Sequence, residues 1–267
     1  ERRKRCRRPK LLENQALKEK VHELIVEQHW SPEEISGRLK LEKSIYQISY
    51  TTIYRGIYAG MLEMRKLAYK ERGIVRKLRH KDKRRKRKGE TETRGKIPIS
   101  NPIEMRPAEA NNRSCPGHLE ADTVLGKRGG QCVVTLIDRM LKYAWVERTP
   151  TKSAADVNAA ILRVLEKLPH GYVKSITPDR GKEFADHAKI TELTGIEFYF
   201  PPPHAPWARG TNENFNGLLR EFIPKRRDIS AFSDDQLCDF ALKLNTRPRK
   251  CLGWKSPLEL FPAFCCT

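Results

Sequence analysis

At 267 residues, 38% hydrophobic and 32% charged, the chain has room for one substantial core plus a smaller module. The longest apolar runs fall short of the ~18 residues a membrane span requires, and seven cysteines without a Cys-x-x-Cys pair exclude a disulfide framework or zinc finger and predict reduced thiols in a cytoplasmic protein. The net charge of +20 is uneven: residues 1–10 hold seven Lys/Arg against one acid and residues 65–88 hold fourteen against two, which points to a polyanionic partner, nucleic acid.

Residues 11–29 read as an amphipathic helix, with Leu12, Leu17, Val21, Leu24 and Ile25 on one face. Ser31-Pro32-Glu33-Glu34 is a helix start with Ser31 as N-cap, Pro32 at the first position and Glu34 closing a capping box, and that helix should run to about Leu41. Ser49-Tyr50-Thr51-Thr52-Ile53 opens a third. Three short helices in residues 1–63 suit a helix-turn-helix that presents Tyr50, Thr51, Thr52 and Arg55 to a major groove. An ordinary three-helix module shares this pattern, and the adjacent basic run favours DNA. Residues 64–110 read as a linker, basic to Lys88 and then broken by Gly95, Pro98, Pro102 and Pro107. Arg84, Arg85 and Arg87 within it are candidates for contacts to a DNA backbone rather than to bases.

From residue 111 to 267 the texture is that of an α/β domain. His118–Leu125 and Gln131–Asp138 read as strands joined by a glycine-rich turn, and Tyr143–Arg148 as a third. Ser153–Leu168 is predicted as a helix with a Ser153/Asp156 capping box, Val173–Thr177 as a strand, Glu183–Thr194 as a helix and Ile196–Phe200 as a strand. The order predicts a mixed sheet flanked by helices. A last helix carries Phe215, Leu218, Leu219 and Phe222 as its buried stripe, which puts Arg209, Glu213, Asn216 and Arg220 on the other side. Any solvated helix face shows such a set, so this helix alone decides nothing.

Three acids stand out. Asp122 lies in His118-Leu119-Glu120-Ala121-Asp122, Asp179 in the loop Pro178-Asp179-Arg180-Gly181-Lys182-Glu183-Phe184, and Glu213 on the last helix. Hard divalent cations take oxygen ligands from a few carboxylates, and a metal pair promotes in-line displacement at phosphorus. Two strand-end aspartates and a helix glutamate suit such a site: Asp122 bridging two ions, Asp179 completing one and Glu213 the other. Glu120, Asp138 and Glu183 compete for these roles, with Glu120 a candidate supporting partner and Asp138, beside Arg139, a structural acid.

These residues carry a family resemblance. Trp207-Ala208-Arg209-Gly210-Thr211-Asn212-Glu213-Asn214-x-Asn216-Gly217-Leu218-Leu219-Arg220 resembles the segment around the catalytic glutamate of the insertion-sequence-thirty (IS-thirty) transposases. Asp179-x-Gly181-x-Glu183-Phe184 resembles the second-aspartate motif and His118-x-Glu120-x-Asp122 the first. Thirty-three residues lie between Asp179 and Glu213, as in that family. The stretch Leu244-Asn245-x-Arg247-Pro248 to Gly253-Trp254-x-x-Pro257 resembles the tail that follows such cores, so the likeness spans nearly the whole chain.

The resemblance implies a ribonuclease-H-like catalytic domain behind a helix-turn-helix, with Asp122, Asp179 and Glu213 as catalytic and metal-binding residues and two Mg²⁺ or Mn²⁺ ions. It also implies a bacterial, nucleoid-associated enzyme that binds the inverted-repeat ends of its element, frees a 3′-hydroxyl and joins it to another strand. A circular or joined-ends intermediate and at least a homodimer on double-stranded DNA go with that activity, and Arg209, Asn212, Asn216 and Arg220 are then DNA contacts. Arg180 departs from the Asn of many relatives. The family also carries a further helix-turn-helix upstream of the basic run with which this chain begins. A DNA-binding regulator on an inactive scaffold, or a nuclease of the same fold, are the competing readings. The intact acids argue against the first.

Overall fold

Helix caps set the frame of the N-terminal region. Helix α1 (Gln15–Val26) is capped by Asn14, whose side chain accepts from the Leu17 amide. Helix α2 (Pro32–Leu41) starts at the predicted capping box, with Ser31 and Glu34 bonded reciprocally and Pro32 in the first turn. Helix α3 (Tyr50–Tyr58) is capped by Ser49 through the Thr52 amide. The structure is a computed structural model that describes residues 11–65, 68, 71–78, 97–127, 129–202 and 209–265. Arg84, Arg85, Arg87 and residues 203–208 lie outside them.

The chain divides into two units, the first made of Glu1–Lys88 with Arg247–Ser256 and the second of Gly89–Thr246 with Pro257–Thr267. In the first, Leu17, Val21 and Ile25 of α1, Ile35 and Leu39 of α2, and Ile53 and Ile57 of α3 close one core with Leu62 and Ile74. Tyr50, Thr51 and Arg55 are exposed on α3, while Thr52 is half-buried with its hydroxyl against that of Ser49. Tyr54, one residue before Arg55, donates its hydroxyl to Glu33 at 3.0 Å, and burial together with that carboxylate pushes the phenol up to about 12.

The far segment Arg247–Ser256 belongs to this unit through specific contacts. Arg247 is buried and its Nε lies 2.8 Å from Oε2 of Glu34, the same carboxylate oxygen that caps α2. Arg38 donates to the Trp254 carbonyl at 3.4 Å. The Trp254 indole covers Gly37 so closely that any Cβ there would run into the ring, which is why α2 tolerates a glycine in mid-helix.

The second unit is built on a six-stranded sheet: β1 (Asn101–Pro102), β2 (His118–Leu125), β3 (Cys132–Asp138), β4 (Ala144–Thr149), β5 (Ser175–Thr177) and β6 (Glu197–Phe200), in the order β1-β6-β5-β2-β3-β4. Strands β2, β3 and β4 form an antiparallel meander, and β5, β6 and β1 add in parallel on the other side of β2. Helices α4 (Ala108–Asn112), α5 (Ala154–Glu166), α6 (His187–Thr194), α7 (Gly210–Leu219), α8 (Asp234–Asn245) and α9 (Pro257–Cys265) complete it. The architecture is a mixed sheet flanked by helices, as the resemblance implied.

Strand alternation assigns the two faces. Leu119 and Ala121 of β2 and Val134 and Leu136 of β3 pack with Val157, Ile161 and Val164 of α5 in one core. Val124, Val133 and Ile137 pack with Phe215, Leu218 and Leu219 of α7 and with Leu237 and Leu244 of α8 in the other. Glu120 and Asp122 share the parity of Val124, so both point to the face that α7 covers. Every residue of β3 is buried, as a central strand requires.

Three local expectations are corrected. The predicted 183–194 helix is a short 3-10 turn (Lys182–Phe184) followed by α6, because Asp186 between them leaves helical geometry at φ −91° and ψ 17°. The Ser153/Asp156 box is half formed: Ser153 accepts from the Asp156 amide, but the Asp156 carboxylate takes the Thr151 hydroxyl instead. Strand β1 and helix α4 fall where a linker was expected, since Asn101 and Pro102 pair with Tyr199 and Phe200. Among the described residues no helix is long and apolar enough to cross a membrane.

Candidate active site

Asp122 sits in the middle of β2, opposite Thr135 of β3, with its carboxylate turned toward α7. Its Oδ1 accepts from the Thr123 amide at 2.8 Å and its Oδ2 from Nδ2 of Asn216 at 2.9 Å. The Asn216 carbonyl oxygen in turn accepts from the Thr135 hydroxyl at 3.3 Å, so a Thr135–Asn216–Asp122 relay ties β3, α7 and β2 together. Asp179 follows β5, the parallel neighbour of β2, and its Oδ1 accepts from the Gly181 amide at 2.8 Å.

One cation joins the two acids. Arg209, the N-cap residue of α7, places NH1 3.7 Å from Asp122 Oδ2 and NH2 3.9 Å from Asp179 Oδ2. Asp122 is nevertheless pushed up to about 6, first by burial and then by the Asp179 charge, against the pull of Arg209. The rise comes mainly from burial, so the Asp122 charge sits where the guanidinium only partly offsets the lost water and a further cation would be favourable.

This shift has a measurable consequence. Asp122 binds a proton more readily folded than unfolded, so its contribution to stability is present below pH ~4 and is lost as pH rises through ~6. In metal-free protein, wild type should therefore gain about 2–3 kcal/mol on Asp122→Asn between pH 7.5 and pH 4. Urea unfolding of both proteins at each pH reads it. A difference that stays constant across that range sinks the assignment.

Glu213 is exposed and stands one turn beyond Arg209 and one turn before Asn216, two residues that both touch Asp122. Its backbone is thus at the acid pair, although among the described residues no three acids close into a ready metal-holding group. Glu183, a competing acid, is buried: Thr123 donates to its Oε1 at 3.0 Å and Lys152 lies 2.7 Å from the same oxygen. The space where a side chain at Gly181 would go is filled by that carboxylate, which gives the glycine of the Asp179 loop a steric reason. Arg180 donates to the Pro201 carbonyl at 2.7 Å.

Glu120 is fully buried and ion-paired with Arg139, while its other oxygen accepts from the Asn212 amide at 2.9 Å. It therefore caps the first turn of the helix that carries Glu213. Asp138 accepts from the amides of Gly117, Met140 and Leu141 and from the Tyr172 hydroxyl, a structural set that fixes the β3–β4 turn.

Two expected DNA contacts are corrected. The Asn212 side chain is fully buried with neither of its amide atoms hydrogen-bonded, so it is not a surface donor. The periodicity that puts Phe215 and Leu219 inward also puts Asn212 inward, three and seven residues earlier, and that signal was readable. Asn216 is spent on Asp122 and Thr135, which makes it a support for the acid rather than a free surface donor. Arg220 is half-buried, with its pKa lowered by burial. Thr123, Thr135 and Lys152 had no sequence signal, because their partners come from other strands and loops.

Two aspartates at adjacent central strands of a mixed sheet are the arrangement expected of a DDE-type nucleotidyl-transfer enzyme. No protein-family model matches the chain. It is 39% identical to the transposase for insertion sequence element IS1086 of Cupriavidus metallidurans, over 88% of this chain and 69% of that protein. It is 39% identical to the transposase InsI for IS30A of Escherichia coli, over 96% and 67%, and 36% identical to the transposase for IS4351 of Bacteroides fragilis, over 98% and 77%. The chain belongs to the IS30 family of transposases. Among solved structures it is similar to the catalytic core domain of BIV integrase, at 16% identity and a TM-score of 0.42 over 55% of this chain and 94% of that one.

Proposed function

We propose that this transposase binds the inverted-repeat ends of its element, cleaves a strand to free a 3′-hydroxyl and joins that hydroxyl to another DNA strand at the Asp122–Asp179–Glu213 site. The observation that carries the reading is the convergence of Asp122 and Asp179 on one cationic group beneath the helix that bears Glu213. Carboxylate oxygens around a positive charge are the donor set that Mg²⁺ or Mn²⁺ takes, so the residues fit a divalent metal. Asp122, Asp179 and Glu213 would hold the two ions, whose chemistry is to activate the attacking oxygen and steady the leaving one.

The protein's own groups do the remainder. Thr123 and Asn216 fix the Asp122 rotamer, and Gly181 fixes Asp179. Arg209 neutralises the acid pair and is placed to meet a phosphate once that charge is met otherwise. Exposed Tyr50, Thr51 and Arg55 with Thr52 at the start of α3, and Arg84, Arg85 and Arg87 in the basic run, are the DNA contacts of the other unit. Because water and a 3′-hydroxyl are interchangeable nucleophiles, one site serves cleavage and joining, with a circular or joined-ends intermediate between them. Synapsis of two ends calls for a homodimer or larger assembly.

Pre-cleaved duplexes carrying the inverted repeats that flank this coding sequence test the proposal. Incubated with the chain and Mg²⁺ or Mn²⁺, their labelled 3′ ends should appear in longer joined products, and chelation by EDTA should abolish them. Cleavage without any joined product would leave a nuclease instead.

A further inference from the structure

Helix α7 has a second functional end. Beyond Leu219 the chain runs through buried Ile223 and then, between it and buried Ile229, through a loop in which Pro224, Lys225, Arg226 and Arg227 are all exposed. The loop is tight: the Arg227 amide donates to the Pro224 carbonyl at 3.2 Å, and Arg226 holds a left-handed φ of 68°. The β2–β3 turn packs directly against it. A side chain at Gly126 would run into the Arg227 carbonyl and Ile229, so the glycine lets one backbone lie on the other. That contact brings exposed Lys127 beside the loop.

The result is a ledge of four cations, Lys127, Lys225, Arg226 and Arg227, on two pieces of backbone fixed to each other. Its one acid, Asp228, is already engaged by the Ser230 amide at 3.0 Å and the Ser230 hydroxyl at 2.8 Å. Among the described residues none of the four cations makes an ion pair. A solubilising loop has no need of such fixation. Four exposed cations side by side suit a line of phosphates rather than one small anion.

We propose that this ledge binds the phosphate backbone of duplex DNA flanking the reacting phosphodiester, an inference that rests on the DNA-joining reading above. Ten-residue α7 spans about 15 Å, with Arg209 in the acid pair at one end and the ledge past the other. At 3.4 Å per base pair, the ledge meets DNA about five base pairs from the site of chemistry. Lying on the backbone, it holds the duplex without reading its sequence.

The test uses the full chain and two 30-base-pair duplexes, one ending in the element's inverted repeat and one of arbitrary sequence. The triple variant Lys127→Gln, Lys225→Gln, Arg227→Gln keeps Arg226 and its backbone conformation, and circular dichroism checks its fold. Dissociation constants are measured across a salt series. Expected is a loss of at least tenfold on both duplexes at low salt, with the log–log salt slope shallower by about 2–3, as for three lost phosphate contacts. Unchanged affinity and slope, with wild type binding, overturn the ledge alone. Weakening confined to the inverted repeat overturns it as a backbone contact. Failure of wild type to bind either duplex overturns the DNA-joining reading and the ledge with it. Should the triple variant lose its fold, Lys225→Gln alone is read the same way, with a slope change near 1.

Discussion

Asp122→Asn, Asp179→Asn and Glu213→Gln each lower nicking and joining of labelled element ends by about 10³-fold or more while the protein stays folded. The size follows from what the groups do. Loss of a group that only orients a metal ligand already costs about 10–100-fold, so loss of a ligand costs more. Asn216→Ala marks that lower level, because it removes the amide that holds Asp122 Oδ2 yet leaves all three acids in place. The ordering is the informative part: the three acids should fall together, and Asn216 should fall an order of magnitude or more short of them. Radiolabelled ends separated on denaturing gels give both rates. Glu213→Gln at wild-type rates would remove Glu213 from the site, and the same variants of Glu183 would then show whether that buried carboxylate takes its place.

The second large effect is on stability. Arg139→Leu strips the ion-pair partner from Glu120, a carboxylate with no exposure at all, and should destabilise the sheet-bearing unit by about 3–5 kcal/mol. Replacing both residues, as Glu120→Gln with Arg139→Leu, leaves no bare charge in the core and should recover much of the loss. Urea unfolding read as a shift in midpoint distinguishes these outcomes. A single Arg139→Leu variant that loses under 1 kcal/mol would mean that Glu120 is protonated or otherwise satisfied. Because Glu120 also caps the first turn of α7 through the Asn212 amide, the pair links the core of the sheet to the position of Glu213.

Much of this architecture was legible before any coordinates. The capping signals at Ser31 and Ser49 and the alternation in His118–Leu125 are local, and local rules fixed their elements to within a residue or two. Asp122 and Asp179, singled out by their neighbours in sequence, do meet at Arg209 in the folded chain. What was not legible is set by partners distant in sequence. Strand β1 is two residues long and exists only because Tyr199 and Phe200 lie beside it. Arg209 was read as facing solvent, but in the folded chain it closes on two carboxylates from two strands. Asn212 was assigned to DNA through the resemblance, although its helical phase already placed it with Phe215 and Leu219. The Lys152–Glu183 pair has no periodicity to betray it at all.

The placement of Trp254 over Gly37 has a consequence for how the protein is made. The first unit is discontinuous: the Arg247–Ser256 segment that supplies a partner for Glu34 and a cover for Gly37 is synthesised only after the whole sheet-bearing region that separates it from α2. At about 5–20 residues per second, a nascent chain spends on the order of ten seconds with α2 lacking both. During that interval the sheet-bearing region is being made, and the glycine face of α2 is open. Chains cut short before Arg247 never reach the finished first unit, so synthesis through Ser256 is itself a condition for the helices of that unit to reach their final packing.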